Sequence, residues 1–142
     1  MEVQTMASKR VASLPPQATA AEAAKLMREE DVGAVVVLSS EKKPLGIFTD
    51  RDLALRVVAL GRNPAQVKLE EVMSSNPFTV GARDPVMLVA RRMADKGVRR
   101  LPVVNEGGMV IGVVSVDDLL TVLISELSNV CTVIVGSSRL VR

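Results

Sequence analysis

The chain has 142 residues, of which 48% are hydrophobic and 24% are charged, and its formal net charge is +2. This length predicts one domain or two small lobes that share a core, and this hydrophobic content excludes an intrinsically disordered chain. Because the sequence has no histidine and one cysteine, it excludes Ser-His-Asp and Cys-His catalysis, a zinc site with histidine ligands and an internal disulfide.

The first half predicts two helices and two strands. Alanine-rich residues 20–27 predict a helix that follows a short extended segment. The β-branched run Ala34–Leu38 predicts a strand, and a polar turn at 39–43 separates it from a second strand at 45–48. A second helix follows, and Gly61 is suited to end it.

The second half repeats the first half after a shift of 66 positions, without a gap. Met27 falls on Met93 and Asp52 falls on Asp118. The elements predicted there are a helix through Val86, Val89, Ala90 and Met93, strands at 101–104 and 110–114, and a helix through Leu119, Leu120, Leu123 and Ile124.

The repeat predicts an α+β fold. It consists of two tandem β-α-β-β-α motifs that pack by their sheets with pseudo-twofold symmetry, because one motif alone is too small to be stable. The predicted divisions are a first motif at 1–61, a linker at 62–75, a second motif at 76–128 and a C-terminal tail at 129–142.

The tail predicts one further strand at 130–135 before a turn at 136–138, and Cys131 within it reads as a small buried hydrophobic residue. The sequence shows no apolar run that approaches the roughly 18 residues that cross a bilayer, and no signal peptide at its start. We therefore expect a soluble cytoplasmic protein that does not contact a membrane. The absence of Trp and Tyr and the small positive charge argue against nucleic-acid binding.

One short pattern occurs in both halves. Residues 46–53 read Gly-Ile-Phe-Thr-Asp-Arg-Asp-Leu, and residues 112–119 read Gly-Val-Val-Ser-Val-Asp-Asp-Leu. This doubled pattern resembles the signature of a tandem CBS-domain pair, or Bateman module, and residues 98–104 are similar to the strand that precedes that signature. The resemblance covers about residues 7–127.

The resemblance implies a regulatory sensor of adenosine compounds, not an enzyme. Such modules bind AMP, ADP or ATP most often, and sometimes S-adenosylmethionine or NAD. They commonly form disc-shaped homodimers and regulate an effector protein, which is not identifiable in this sequence. No catalytic residue and no metal ligand is predicted.

The Thr49-to-Asp52 segment offers a physical reason for nucleotide binding. It lies where a strand ends and a helix begins, so exposed N–H groups and the helix dipole attract phosphate. The Asp52 carboxylate has two acceptor oxygens that suit the 2′- and 3′-hydroxyls of a ribose. The same spacing also fits a capping box that only ends the helix, and the two roles are compatible.

By family geometry, each site pairs the helix start of one half with the strands of the other. Site one is predicted to contain Thr49, Arg51, Asp52, Ser74, Pro77, Phe78, Arg99, Arg100, Leu101 and Pro102. Site two is predicted to contain Ser115, Asp118, Gly33, Ala34 and Val35, with Ser8, Lys9 and Arg10 at its entry.

Site one is the predicted phosphate site, because Arg99 and Arg100 offer a clamp that site two lacks. A solvated strand end is the alternative for these arginines, and core packing is the alternative for Phe78. Three functions stay open at this point: an AMP-binding regulatory module, a protein–protein adaptor with vestigial nucleotide sites, and nucleic-acid binding.

Overall fold

The computed structural model describes residues 1–140, and the side chains of residues 1–136. Its strands are β1 (Ser13–Leu14), β2 (Ala34–Leu38), β3 (Pro44–Thr49), β4 (Ser74–Ser75), β5 (Val80–Gly81), β6 (Arg100–Val104) and β7 (Val110–Ser115). Its helices are α1 (Ala20–Glu30), α2 (Asp50–Asp52), α3 (Leu69–Val72), α4 (Val86–Lys96) and α5 (Val116–Leu140). A 3-10 turn covers Val3–Thr5, and α2 continues as a π-helix over Leu53–Val58.

The strands form two mixed sheets, with the orders β1-β2-β3-β4 and β5-β6-β7. In each sheet the first strand is parallel to the second, and the second and third form an antiparallel pair. Strands β1, β2 and β3 with their helices form one β-α-β-β-α motif, and strands β5, β6 and β7 with theirs form the second, so the predicted α+β fold with two such motifs is confirmed.

The helix ends follow ordinary capping chemistry. Thr19 begins α1 with a capping box in which Glu22 N–H donates to Thr19 Oγ1 over 3.2 Å and Thr19 N–H donates to Glu22 Oε2 over 2.8 Å. Gly97 ends α4 in the left-handed region at φ 64°, and Gly61, after the π-helix, has φ 67°. The predicted stop at Gly61 therefore has the backbone conformation that glycine favours.

The segment that precedes each motif in the sequence packs into the core of the other motif. Val3 is fully buried in the core of the second motif, whereas Leu69 and Val72 are buried in the core of the first. Leu69 lies 66 positions after Val3, so this exchange follows the internal repeat. The region 62–75, predicted as a linker, thus holds α3 and β4, and β4 extends the first sheet.

The middle strands are buried on both faces. Val35 and Val37 belong to the core under the helices of the first motif, and Val36 between them is 3% exposed. Because side chains alternate along a strand, Val36 points away from that core. Pro102, its repeat equivalent on β6, is also fully buried. These two residues occupy the sheet faces on the side opposite the motifs' own helices.

The C-terminal tail differs from its prediction, because residues 130–135 are part of helix α5 and not a strand. A short β-branched run does not distinguish the two states, and no proline or glycine interrupts the chain between Val116 and Val135. Cys131 is exposed and not buried. An 18-residue window within Val116–Gly136 also has a mean hydropathy of 1.8, and this segment is long enough to cross a membrane. By length and composition, the expectation of no such stretch was therefore wrong.

Candidate functional site

Both helix starts singled out by the sequence form capping boxes. Asp52 N–H donates to Thr49 Oγ1 over 3.1 Å, and Thr49 N–H donates to Asp52 Oδ2 over 2.9 Å. The same pair of bonds joins Ser115 and Asp118, at 3.2 and 2.9 Å. The capping alternative is therefore present at both positions. Each box holds its aspartate in place and uses Oδ2, so Oδ1 is the oxygen that a ligand hydroxyl would reach.

The two aspartates have different surroundings. Asp52 Oδ1 lies 3.7 Å from Arg56 Nε, and Arg56 is tied in turn to the Val72 carbonyl over 3.0 Å. The residue at the position equivalent to Arg56 is Val122, which carries no charge. Asp52 thus has an arginine beside it that Asp118 does not have at the equivalent position.

Cleft one lies between the motifs and has a volume of about 710 Å³. This is within the range of small-molecule sites, which is about 300–1,000 Å³. Helix start α2, strand β6 and the segment after β4 form its walls. The lining residues are Ile47, Thr49, Asp50, Arg51, Asp52, Ser74, Ser75, Asn76, Pro77, Phe78, Gly97, Val98, Arg99, Arg100 and Leu101.

Cleft one has a surplus of positive charge. Arg51, Arg99 and Arg100 line it together with two aspartates, Asp50 and Asp52. Among the described residues, none of the three arginines forms an ion pair within 4 Å. Guanidinium groups without a carboxylate partner are suited to bind phosphate, which they can contact through two parallel hydrogen bonds.

Cleft two is smaller, with a volume of about 300 Å³, and its charge is reversed. Three aspartates line it, Asp31, Asp117 and Asp118, against Arg10 and Arg100. Arg10 already pairs with Glu30 over 2.8 Å. Its other lining residues are Ser8, Ala12, Val32, Gly33, Ala34, Val36, Ile47, Val113 and Ser115. This cleft is therefore less suited to an anion than cleft one.

Arg100 lines both clefts. A side chain added at Gly33 would place its Cβ 3.0 Å from Arg100 Nη2 and 3.2 Å from Asp50 Oδ2. Because glycine has no Cβ, position 33 leaves room for the Arg100 guanidinium and the Asp50 carboxylate to lie close to the backbone between the two clefts.

The structure brings together most of the residues that the sequence assigned to each site. In cleft one, only Pro102 is missing from the lining, because it is fully buried. In cleft two, Val35 is missing, because it points into the core of the first motif. Lys9 lines neighbouring surface depressions and not cleft two.

Phe78 is 51% exposed, so it is not a core residue. Lys96 Nζ lies 4.4 Å from the centre of its ring, over the ring face. Phe78 therefore lines cleft one, and the ammonium group of Lys96 already contacts its ring.

Sequence reasoning missed several lining residues. Asn76, at φ 50°, and Asp31, at φ 53°, line clefts one and two in left-handed turns. Positive φ at Asn or Asp has no reliable local signal in a single sequence. The double role of Arg100 depends on how the motifs pack against each other, which no local pattern records.

The comparison with protein families matches residues 3–59 and 69–125 to the CBS domain. The chain belongs to the CBS domain family. It is a tandem CBS-domain pair, and the two matched segments differ by the same 66 positions as the internal repeat.

Known relatives of this CBS pair include uncharacterised and ligand-bound proteins. The protein MK0525 of Methanopyrus kandleri is 39% identical over 122 residues, which are 86% of this chain and 62% of that protein. The chain thus spans less than two thirds of that relative. The CBS domain protein PAE2072 of Pyrobaculum aerophilum, solved with AMP, has a TM-score of 0.77 and 30% identity over 84% of this chain and 90% of that one.

A third relative was solved with other adenosine ligands. It is the CBS domain pair of protein MJ0100, in complex with 5′-methylthioadenosine and S-adenosyl-L-methionine. Its TM-score is 0.78, and its identity is 26% over 89% of this chain and 98% of that one. Of these two solved relatives, one thus binds an adenosine compound with a phosphate and the other binds adenosine compounds without one.

Proposed function

We propose that this CBS pair is a regulatory module that binds an adenosine nucleotide, with AMP in cleft one. The observation that carries the proposal is the meeting of three unpaired arginines with the Thr49–Asp52 capping box in one cleft. The arginines supply contacts for the phosphate, and Asp52 Oδ1 supplies an acceptor for a ribose hydroxyl. The AMP complex of PAE2072 supports the same ligand class.

Cleft two is proposed to bind AMP more weakly. Its three aspartates repel a phosphate, and Arg10 is held by Glu30. The capping box of Ser115 and Asp118 still offers an acceptor for a ribose. Within the proposal, cleft two is therefore the secondary site, suited to an adenosine compound without a phosphate.

The experiment compares Asp52→Asn with Asp118→Asn by titration calorimetry with AMP. Asparagine keeps an oxygen for the capping box but replaces a carboxylate by an amide. A hydrogen bond to a charged group contributes about 1.5–3 kcal/mol, so Asp52→Asn is expected to weaken AMP binding by about tenfold or more. Asp118→Asn serves as the matched control and is expected to change the affinity much less.

Two results count against the proposal. Ligand that binds only the folded chain raises its stability by about 2.7 kcal/mol at one hundred times the dissociation constant. No rise in the melting temperature with millimolar AMP would refute nucleotide binding. Equal losses in the two variants would refute the ranking of the clefts.

A protein adaptor is the second candidate function, and the exposed apolar helices favour it. Leu55, Val58 and Leu60 after α2 are 52–68% exposed. Exposed apolar patches of this kind mark contact surfaces. If the adaptor function is the correct one, a partner protein is retained on the immobilised chain to the same extent with and without AMP.

A further inference from the structure

Helix α5 continues far beyond the motif that it closes. In the first motif the corresponding helix ends at Val58, and Gly61 follows at φ 67°. A shift of 66 positions places that end near residue 124, and the family match stops at residue 125. Helix α5 nevertheless runs to Leu140. Residues 126–140, about four helical turns, therefore belong to neither CBS motif.

The side chains of this helical extension are not covered by the rest of the chain. Every residue from Leu123 to Gly136 is exposed. Leu120, Leu123, Leu127 and Val130 are 49–63% exposed and follow one another at spacings of three, four and three residues. This is the spacing at which two helices pack side by side in a coiled coil.

The opposite side of the helix is polar. Ser125, Ser128, Asn129 and Thr132 lie there, and all four are exposed. A helix with one apolar side and one side of small polar groups is typical of a helix that is half buried in a bundle. The apolar side is therefore expected to be covered in the native assembly.

The apolar side has the area of a stable interface. Seven of its described aliphatic side chains are between 49% and 66% exposed. At about 100 Å² each, they present on the order of 700 Å², close to the roughly 800 Å² that each partner buries in a standard interface. The largest apolar patch on a typical monomer is about 300–600 Å².

A bilayer fits this helix less well than a second helix does. Leu119 is buried in the core of the second motif, and Asp118 caps the helix, so its first turns are fixed to the body of the protein. The apolar stretch from Leu123 to Val135 spans about 20 Å, whereas the hydrocarbon core of a bilayer is about 30 Å thick. Glu126 also lies within this stretch.

The charge pattern favours an identical partner. Glu126 is the only charged residue between positions 119 and 138. Coiled coils that select a different partner use complementary charges beside the apolar seam. Between positions 119 and 138 Glu126 is a single charge beside the seam, so no set of complementary charges selects a different partner, and the regular apolar seam can pack against a copy of itself.

We propose that the extension of α5 pairs with the same helix of a second copy of the chain, and that this pairing assembles the protein. The inference concerns a surface outside both clefts, so it does not depend on nucleotide binding. A twofold contact buries the same residues on both copies.

The experiment is sedimentation velocity of the full chain and of two double variants. Leu127→Glu with Val130→Glu places two charges in the apolar seam. Ser125→Glu with Ser128→Glu adds the same charges on the polar side and is the matched control. The wild type and the control are expected to sediment as dimers or larger assemblies, and the seam variant as a smaller species. Circular dichroism and a thermal melt establish that each variant folds.

Three outcomes would overturn the inference. The first is a monomeric wild type. The second is a seam variant that assembles as the wild type does, because another surface then holds the copies together. The third is flotation of the wild type, and not of the seam variant, with vesicles of phosphatidylcholine and phosphatidylglycerol, because a membrane then covers the helix. Recovery of the wild type in the vesicle-free fraction, together with its sedimentation as a dimer or larger assembly, supports pairing.

Discussion

Arg100 is the residue that joins the two clefts. It begins strand β6, is partly buried and lies opposite Ser115 in the strand pair. It lines cleft one beside Arg99 and cleft two beside Asp117 and Asp118. A single guanidinium between two clefts contributes positive charge to both. Its removal is expected to have its largest effect on phosphate binding in cleft one, which is the larger and positively charged cleft.

Arg100→Ala is expected to weaken AMP binding by about tenfold or more, because a charge-assisted contact to phosphate is worth about 1.5–3 kcal/mol. Calorimetry measures this loss. Arg91→Ala, which removes an exposed arginine from α4, controls for the change in net charge and is expected to bind AMP as the wild type does. Equal affinities for the two variants would show that Arg100 does not contact the phosphate.

At the scale of elements, the exchanged segments depend on close backbone contacts. A Cβ on Gly112 would lie 2.8 Å from the carbonyl oxygen of Ser8. Ser8 and Val113 exchange two backbone hydrogen bonds of 3.0 Å at this point. These bonds attach residues 3–8, including buried Val3, to the second motif.

Gly112→Ala is therefore expected to separate the N-terminal segment from β7 and to lower the free energy of unfolding by about 1–3 kcal/mol, as overpacking does. Urea denaturation measures the loss, and hydrogen exchange is expected to quicken at residues 3–8. Gly107→Ala is the control, since its Cβ would meet only Asn105 Oδ1, at 3.4 Å. Similar stabilities for the two variants would contradict this account.

The elements also show what local pattern can and cannot predict. Strand β2 and the helix starts at Asp50 and Val116 follow from runs of apolar residues and from Thr or Ser three positions before Asp. The exchange of Val3 and Leu69 between the motifs is set by contacts distant in sequence, which a local pattern does not contain. The tail was assigned the wrong state because Val130–Val135 fits a strand when it is considered apart from α5.

At the scale of the whole molecule, two equivalent motifs produce two unequal clefts. Through the family resemblance, the sequence predicted that each cleft combines the helix start of one motif with the strands of the other. From Arg99 and Arg100 it also predicted that cleft one has more arginines. It did not predict that Asp31 and Asp117 make cleft two acidic. Their positions follow from a left-handed turn and from the packing between the motifs.

Under the proposed function, this asymmetry predicts which adenosine compound the molecule binds more tightly. AMP and 5′-methylthioadenosine share the adenosine group, but only AMP carries a phosphate. If the arginines of cleft one bind the phosphate, AMP is expected to bind about tenfold or more tightly, with one high-affinity site per chain. Because salt screens charges at this partly open site, the preference for AMP is expected to shrink as the ionic strength rises.

Calorimetric titrations of both ligands at low and high salt measure the affinities and the number of sites. The affinity for 5′-methylthioadenosine is expected to stay nearly constant with salt, because that ligand is neutral, and it serves as the control within the same protein. Two equal AMP sites per chain would mean that the acidic residues of cleft two do not repel the phosphate. A preference for AMP that does not change with salt would assign selectivity to the shape of cleft one instead of its three arginines.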